Sequence, residues 1–379
     1  MKKILFVSSS LFITSALFSQ TQTSPTISAP QFFEVKTLKA TPVKNQAMTG
    51  TCWCFATTSL VESEEIRKDK QEIDLSEMYT VRNMYIEKAK NYILRDGKAQ
   101  FGEGGLGHDE IHAVAVYGAI PLSEYTGLIN DEKNYNHQRL FNQLHQYLDS
   151  ILRKQPISND WLDGYIKILD DNLGAPPSEF VYNGKKYTPQ TFAKDVLHFN
   201  ANDYVSITSF THQPYYQPFI LQVPDNFANG SFYNVPLDEM MQLVKGAVNN
   251  GYTVGWDADV SNKGFKQGIG LALNLDNSTS YSKDQLIPEV KEAPYDASIR
   301  QQLYENLTTQ DDHLMHITGV EKSKDGKTFF IVKNSWGKVG PFEGYINVSE
   351  AYFAINTISL VVPKAALSKE MLAKLNITK

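Results

Sequence analysis

The distribution of helical and strand-like patterns along this chain constrains its fold more than any other feature. Helical patterns dominate the first two thirds, and helices are predicted over about 52–68, 76–95, 137–153 and 236–251. The last third consists of short apolar or alternating runs bounded by turn residues: YTVGWDADV, HLMHITGVE, TFFIVKNSW, GYINVS and TISLVVP. An order with helices first and strands last predicts an α+β fold.

The N-terminus has the pattern of a secretory signal. Lys2 and Lys3 precede an apolar run over residues 4–18, and the polar sequence SQTQTS follows. We therefore expect a signal peptide over residues 1–20 and export to the periplasm or the extracellular space. The run is short for a membrane span, and an uncleaved membrane anchor is the alternative interpretation.

The charge balance argues against nucleic acid as a partner. The formal net charge is −6, and positive residues are not concentrated in one basic stretch, which a nucleic-acid surface would need. With 42% hydrophobic and 21% charged residues, the composition is that of an ordinary globular protein.

Both cysteines of the chain lie in one short stretch, TGTCWCF. Cys52 and Cys54 are two residues apart, and disulfide geometry excludes a bond between them within a helix. Cys52 follows a turn-like sequence and opens a predicted helix, where unpaired N–H groups and the helix dipole favour a thiolate. Cys54 points to another side of that helix and is expected to pack in the core. Cys52 is thus the candidate nucleophile, with a structural role as the alternative.

A thiol peptidase also needs a base, a group that orients the base, and donors for the oxyanion. His313 is the candidate base, and Asn334, in the following strand pattern, can accept a hydrogen bond from one ring nitrogen. Trp336 can shield that bond from water. Gln46 lies six residues before Cys52, and its amide can donate to the oxyanion together with the Cys52 backbone N–H.

Three stretches, PVKNQ…TGTCWCF, DHLMHITGV and IVKNSWG…EGYI, resemble in order the signatures of papain-like cysteine peptidases. The resemblance implies a papain-like fold with a helical left part, a β-barrel-like right part and the active-site cleft between them. No cofactor is implied. The implied roles are Cys52 as nucleophile, His313 as base, Asn334 as its orienting residue, Gln46 as oxyanion donor, and Trp53 and Trp336 as supporting residues.

The spacing from Cys52 to His313 is 261 residues, whereas papain-like enzymes have roughly 130–150. The added segment resembles one branch, the bleomycin hydrolases, also called aminopeptidase C in bacteria. The resemblance implies a peptidase domain over 21–379, with a mostly helical insertion over about 120–235 and a β-rich part over 236–363. It also implies peptide or protein substrates. The matching stretches include LSEMYTVRNMYIEKAKNYIL, ILDDNLGAPPSEFVYNGKKYTPQTFAKDV and DEMMQLVKGAVNNGYTVGWDADV.

Two features depart from that branch. Its members have a C-terminal arm that lies in the cleft and makes them aminopeptidases, but this sequence stops at LAKLNITK. We therefore expect an exported cysteine peptidase with endopeptidase activity, which cleaves N-terminally blocked peptides. The branch forms cytoplasmic hexamers, so a homo-oligomer is one expectation, against which the signal peptide argues. A catalytically inactive binding module and a small-molecule amide hydrolase are the alternative functions.

Other ionisable residues near the motifs have weaker interpretations. Asp311 and Asp312 precede His313 and are assigned to a solvated loop; the alternative is that they raise the histidine pKa and support a thiolate–imidazolium pair. Asp257, on a predicted strand, and His316 are both assigned to packing. A zinc site made of the two cysteines and the two histidines is disfavoured, because the cysteines lack the usual spacing of zinc ligands.

Overall fold

The computed structural model describes residues 29–276 and 278–378, so the predicted signal peptide lies outside the described residues. The α-helices are α1 (Cys52–Asp69), α2 (Glu77–Leu94), α3 (Gly107–Tyr117), α4 (Gln138–Leu152), α5 (Trp161–Leu173), α6 (Pro189–Asp195), α7 (Leu237–Asn249), α8 (Ala297–Glu305), α9 (Glu350–Asn356) and α10 (Lys369–Lys374). The strands are β1 (Phe33–Thr37), β2 (Phe180–Tyr182), β3 (Lys185–Tyr187), β4 (Tyr204–Thr208), β5 (Pro218–Ile220), β6 (Ser231–Asn234), β7 (Val254–Ala258), β8 (Phe265–Lys266), β9 (Leu271–Ala272), β10 (His313–Lys322), β11 (Thr328–Lys333), β12 (Tyr345–Ser349) and β13 (Thr357–Pro363).

The predicted helices are present, and their ends follow local chemistry. Helix α2 begins after Ser76, whose hydroxyl accepts a hydrogen bond from the Tyr79 N–H at 3.2 Å. Helix α7 begins directly after Pro236, which tolerates the start of a helix because it has no N–H to satisfy. The five predicted strands of the last third correspond to β7, β10, β11, β12 and β13. The α+β fold class is therefore confirmed.

Eleven strands form one sheet in the order β5-β6-β4-β13-β7-β10-β11-β12-β9-β8, and β1 pairs with β10 outside this path. Within the described residues, β5 at one end pairs only with β6, and β8 at the other end pairs only with β9. The sheet is therefore open, and the expected β-barrel-like closure of the right part is wrong. Strands β4 to β6, which lie within the range predicted for the insertion, extend the sheet at one edge instead of closing it.

The central strands separate two apolar cores. Leu314 of β10 packs with residues of helices α1 to α6, while the next residue, Met315, packs with residues of α7, α9 and α10. Successive side chains of a strand point to opposite faces, which explains this alternation. Helix α1 packs directly on β10 and β7. The beginning of α1 and the beginning of β10 are thereby brought together, and both carry predicted site residues.

None of the helices within residues 29–276 and 278–378 combines the length and the apolar character that a membrane crossing requires.

Candidate active site

The turn before α1 leaves the beginning of that helix without a side-chain cap. Thr51 occupies the N-cap position, but its hydroxyl lies 2.6 Å from that of Thr49 and does not cap the helix. Gly50 donates its N–H to Glu103 Oε2 at 2.8 Å, which ties the turn to the loop before α3. The first N–H groups of α1 have no intrahelical partners, so they can stabilise negative charge beside Cys52.

Cys52 is nearly enclosed, with 9% of its surface exposed. Burial raises the pKa of its thiol to about 12, and the carboxyl groups of Asp311, Asp257 and Asp225 act in the same direction. The backbone N–H of Leu314 hydrogen-bonds the sulfur and lowers the pKa. In the free protein, Cys52 therefore rests as a neutral thiol.

His313 and Asn334 lie close together at adjacent ends of two neighbouring strands. His313 opens β10, Asn334 follows β11, and these strands are antiparallel neighbours. His313 Nε2 lies 2.7 Å from Asn334 Oδ1. The Trp336 ring packs on the imidazole with its centroid 4.7 Å away and covers this bond, as the sequence predicts.

Gln267 determines which way the Asn334 amide points. Its Nε2 donates to the Tyr345 carbonyl at 3.2 Å, which leaves Oε1 to accept from Asn334 Nδ2 at 3.0 Å. Asn334 must then present Oδ1 to the histidine, so Nε2 of His313 carries the proton. The Nδ1 lone pair of His313 is consequently free to accept a proton.

Sequence reasoning did not identify Gln267. It lies in a single turn of 3₁₀ helix, 67 residues before Asn334, and belongs to none of the matched motifs. Its only sequence signal is an amide residue in the loop-rich stretch between β8 and β9, which is too weak to single it out.

An ion pair between Cys52 and His313 is not favoured in this structure. Burial lowers the pKa of His313 to about 4, and the hydrogen bond to Asn334 opposes this only in part. The alternative interpretation, in which Asp311 and Asp312 raise the histidine pKa, is wrong. Desolvation of the imidazole outweighs them, and burial instead raises the pKa of Asp311 itself to about 7. The resting pair is thiol and neutral imidazole.

Gln46 is anchored at three points. Its N–H donates to the Ser335 carbonyl at 2.9 Å, its Oε1 accepts from Ser335 Oγ at 2.6 Å, and its Nε2 donates to the Thr49 carbonyl at 2.8 Å. An amide nitrogen has two hydrogens, so one remains for a further acceptor. As the first residue of α1, Cys52 likewise has a backbone N–H without an intrahelical partner.

Trp53 and Cys54 are fully buried. Trp53 Nε1 donates to the Glu103 carbonyl at 3.1 Å and so secures the loop before α3. The Cys54 thiol donates to Glu110 Oε2 at 3.0 Å, and burial raises its pKa well above the ordinary value. As expected, Cys54 lies in the core and away from the Cys52 environment.

His316 packs in the interior. Its Nδ1 lies 2.9 Å from the hydroxyl of Ser59 in α1, and burial holds its pKa well below the ordinary value. In the part of the chain that the structure describes, no three His, Cys, Asp or Glu side chains are arranged to hold a metal ion.

Comparison with protein families and known proteins places this geometry in context. The family model described as the Peptidase C1-like family matches residues 111–379, and the papain family cysteine protease model matches residues 29–87. Aminopeptidase C of Lactococcus lactis subsp. cremoris is 26% identical, covering 88% of this chain and 83% of that protein. Bleomycin hydrolase of Rattus norvegicus is 24% identical, covering 88% and 83%.

A similar fold is found in the crystal structure of PepW from Lactobacillus rhamnosis HN001. It aligns with a TM-score of 0.73 at 22% sequence identity, over 91% of this chain and 84% of that one. These matches define a cysteine peptidase of the aminopeptidase C and bleomycin hydrolase type. The chain belongs to the Peptidase C1-like family.

Proposed function

We propose that this protein hydrolyses peptide bonds with Cys52 as nucleophile, His313 as general base and acid, and Asn334 as the residue that orients the histidine. The observation that carries the proposal is the hydrogen-bonded series from Tyr345 through Gln267 and Asn334 to His313. This series leaves Nδ1 of His313 unprotonated beside a helix that begins with a cysteine.

In the first step the Cys52 sulfur attacks the carbonyl carbon of the scissile bond. Its proton passes to Nδ1 of His313, and the charge that develops on the carbonyl oxygen is stabilised by the Cys52 backbone N–H and the free hydrogen of Gln46 Nε2. Because both pKa values favour the neutral pair at rest, this transfer accompanies the attack. Asn334 stabilises the imidazolium that forms.

The intermediate then collapses, and the imidazolium donates its Nδ1 proton to the leaving amine while the carbon–nitrogen bond breaks. The acyl group remains on Cys52 as a thioester. Water enters, His313 takes one of its protons, and the resulting hydroxyl attacks the thioester carbonyl. The carbon–sulfur bond then breaks, the carboxylic acid leaves, and the His313 imidazolium returns its proton to the Cys52 sulfur, which restores the thiol and the neutral imidazole.

Labelling with an epoxide inhibitor of thiol peptidases tests this function. We expect one adduct per chain, on Cys52, and loss of both the adduct and peptide hydrolysis in Cys52→Ala. Cys54→Ser is the matched control, because Cys54 is buried against Glu110, and it should keep both. Labelling without hydrolysis of any peptide would favour a small-molecule amide hydrolase, and absence of both would favour a binding module.

The two modes of peptide cleavage considered for this active site differ in whether the substrate needs a free N-terminal amine. The sequence leads to the expectation that blocked peptides are cleaved, whereas relatives carry the name aminopeptidase C, and aminopeptidases require a free N-terminal amine. The acidic groups around Cys52 favour the second mode. Rates on free and N-acetylated versions of the same peptide distinguish the two.

Export is part of the proposal and rests on the pattern of residues 1–20. N-terminal sequencing of the mature protein from culture medium and periplasm tests it, and an intact N-terminus in the cytoplasm would contradict it. The homo-oligomer implied by the resemblance stays a prediction. Light scattering of the mature protein tests it by measuring the molar mass in solution.

A further inference from the structure

The turn from Gln46 to Cys52 carries both proposed oxyanion donors, and its middle is bonded to a residue that the peptidase mechanism does not use. Glu103 lies in the loop before α3, and its Oε2 accepts the Gly50 N–H at 2.8 Å. A Cβ on Gly50 would lie only 3.0 Å from the Cβ of Glu103. Glycine at this position therefore allows the turn to come close enough for the carboxylate to bond its backbone.

The peptide group that joins Thr49 to Gly50 is held at both ends. Its N–H donates to Glu103, and its C=O accepts from Gln46 Nε2 at 2.8 Å. A trans peptide group is planar, and its N–H and C=O point in opposite directions. A rotation of this group would therefore break the bonds to Glu103 and to Gln46 together. The carboxylate thus fixes the acceptor to which the Gln46 amide is bonded.

The Thr49 carbonyl in turn determines where the second hydrogen of Gln46 Nε2 points. The two N–H bonds of a side-chain amide lie in one plane at a fixed angle, so the bond to Thr49 sets the direction of the hydrogen that is proposed to stabilise the oxyanion. Ser335 Oγ donates to the other end of the same amide at 2.6 Å, but a hydroxyl hydrogen can rotate to follow a tilted partner. An oxyanion donor is effective when it is already directed at the developing charge.

Glu103 is itself held on a well-packed base. Its backbone carbonyl accepts from Trp53 Nε1 at 3.1 Å. Lys88 Nζ donates to the carbonyls of the residues on either side, Gly102 at 2.9 Å and Gly104. Trp53 is fully buried and Lys88 is 3% exposed. Because Trp53 belongs to α1, the helix that begins with the nucleophile also positions the loop from which Glu103 reaches the turn.

Other roles for the Glu103 carboxylate are less well supported by its surroundings. His137 Nδ1 lies 3.9 Å from Oε2, beyond hydrogen-bond distance, and is closer to the Tyr85 hydroxyl, at 3.0 Å. Burial lowers the pKa of His137 to about 4, so this imidazole is neutral and supplies no charge for an ion pair. Lys88 uses its hydrogens on backbone carbonyls of the loop. The bond from the Gly50 N–H is therefore the contact through which Glu103 can influence the active site.

We propose that Glu103 is a positioning residue for peptide hydrolysis, an inference that rests on the proposed function. Through the peptide group between Thr49 and Gly50, it keeps the free hydrogen of Gln46 Nε2 directed at the oxyanion. Its contacts are with the turn and with its own loop, so it acts on the stabilisation of charge in the tetrahedral intermediate and not on the reactivity of the Cys52 thiol.

Steady-state kinetics on one peptide substrate and the rate of epoxide labelling test this inference together. Glu103→Ala should lower kcat about tenfold with KM nearly unchanged, the loss expected for one hydrogen bond to a charged group. The labelling rate should stay nearly unchanged, because attack on an epoxide forms no tetrahedral carbonyl intermediate. Glu103→Gln keeps an acceptor for the Gly50 N–H and should recover most of the rate. Glu289→Ala is the matched control: this acid accepts the Lys324 N–H between β10 and β11 at 3.2 Å and should change neither rate.

A double variant distinguishes positioning through Gln46 from a general loosening of the fold. In a Gln46→Ala background, Glu103→Ala should lower kcat by less than about threefold, because its effect passes through the amide that is already missing. Losses that multiply in the double variant, equal losses in hydrolysis and labelling, or full activity in Glu103→Ala would each overturn the inference and leave the peptidase function standing.

The wild-type protein tests the underlying function separately. No labelling and no hydrolysis in the wild type would overturn the peptidase function and this inference with it. If Glu103→Ala does not fold, Glu103→Asp gives the same comparison, because the shorter side chain withdraws the acceptor from Gly50 while keeping the charge.

Discussion

Asn334 holds its carboxamide oxygen 2.7 Å from Nε2 of His313 and its nitrogen 3.0 Å from Oε1 of Gln267. The amide cannot rotate without losing both bonds, and Gln267 is itself fixed by the Tyr345 carbonyl. The backbone carbonyl of Tyr345 therefore determines, through Gln267 and Asn334, which nitrogen of the His313 imidazole carries the proton. A residue outside the matched motifs thus controls the tautomer on which proton transfer depends.

The first prediction concerns Gln267 as a positioning residue. Gln267→Ala removes the acceptor for Asn334 Nδ2 and lets the amide turn, so we expect kcat to fall about tenfold, the value of one such hydrogen bond, with KM nearly unchanged. Gln267→Glu keeps the acceptor and should recover part of the loss. Gln302→Ala, on the exposed side of α8, is the control. A lower melting temperature with normal kcat in Gln267→Ala would mean that the residue is only structural.

The second prediction concerns Gln46 as an oxyanion donor. Gln46→Glu preserves the size of the side chain and an acceptor for Ser335 Oγ but removes both amide hydrogens. We expect kcat to fall about 10²-fold, as for other single oxyanion donors, in both Gln46→Glu and Gln46→Ala. Steady-state kinetics on one peptide substrate measures this. Full activity in Gln46→Glu would exclude a donor role.

The third prediction is a bell-shaped pH profile for substrates with a free amine. Burial raises the pKa of Asp311, one of the acidic groups around Cys52, to about 7, so this group gains its charge only as the pH rises through that value. The α-amine of the substrate loses its charge above about 7.7–8.0. We therefore expect kcat/KM to rise with pH up to about 7 and to fall above about 8.

The groups that face Asp311 are Asp257 from β7, Asp225 from the loop between β5 and β6, Asp312 from its own loop and the more distant Lys88 from α2. His313, with a pKa of about 4, is already neutral through this range and does not produce the rising limb. N-acetylated substrates should show neither limb. The same bell with acetylated substrates would assign it to the catalytic pair instead.

The fourth prediction concerns folding stability and Glu110. Burial between α1 and α2 raises the pKa of Glu110 to about 8, although Cys54 and Thr58 donate to it. The pKa of a glutamate in the unfolded chain is about 4.3. At pH values between these two pKa values, Glu110 is protonated in the folded state and ionised in the unfolded state. Stability from this group is thus present at low pH and is lost as the pH rises through 8, on the order of 1 kcal/mol per pH unit.

Urea unfolding at pH 5 and pH 8 measures this effect. We expect Glu110→Gln to show a smaller loss of unfolding free energy between the two pH values than the wild type, because the amide does not titrate. Glu124→Gln, at an exposed position, should behave like the wild type. An unchanged pH dependence in Glu110→Gln would show that other groups, such as Glu321 with its pKa near 8, dominate.

The sequence by itself determined the local features of this protein. Three features follow from patterns within a few residues: the start of α1 at Cys52, the burial of Cys54 two residues later, and the two strands that His313 opens and Asn334 follows. They could be predicted because helix starts, strand periodicity and motif order depend on neighbours in the chain. The order of three short motifs was enough to indicate the family.

Only the tertiary structure decided the features that join distant parts of the chain. Gln267 reaches Asn334 across 67 residues, and Asp225, between β5 and β6, donates its backbone N–H to Asp311. The sheet is open because strands β4 to β6 extend its edge, and burial, not the neighbouring acids, sets the histidine pKa. Desolvation and long-range hydrogen bonds depend on which surfaces pack together, and no local pattern in the sequence encodes that.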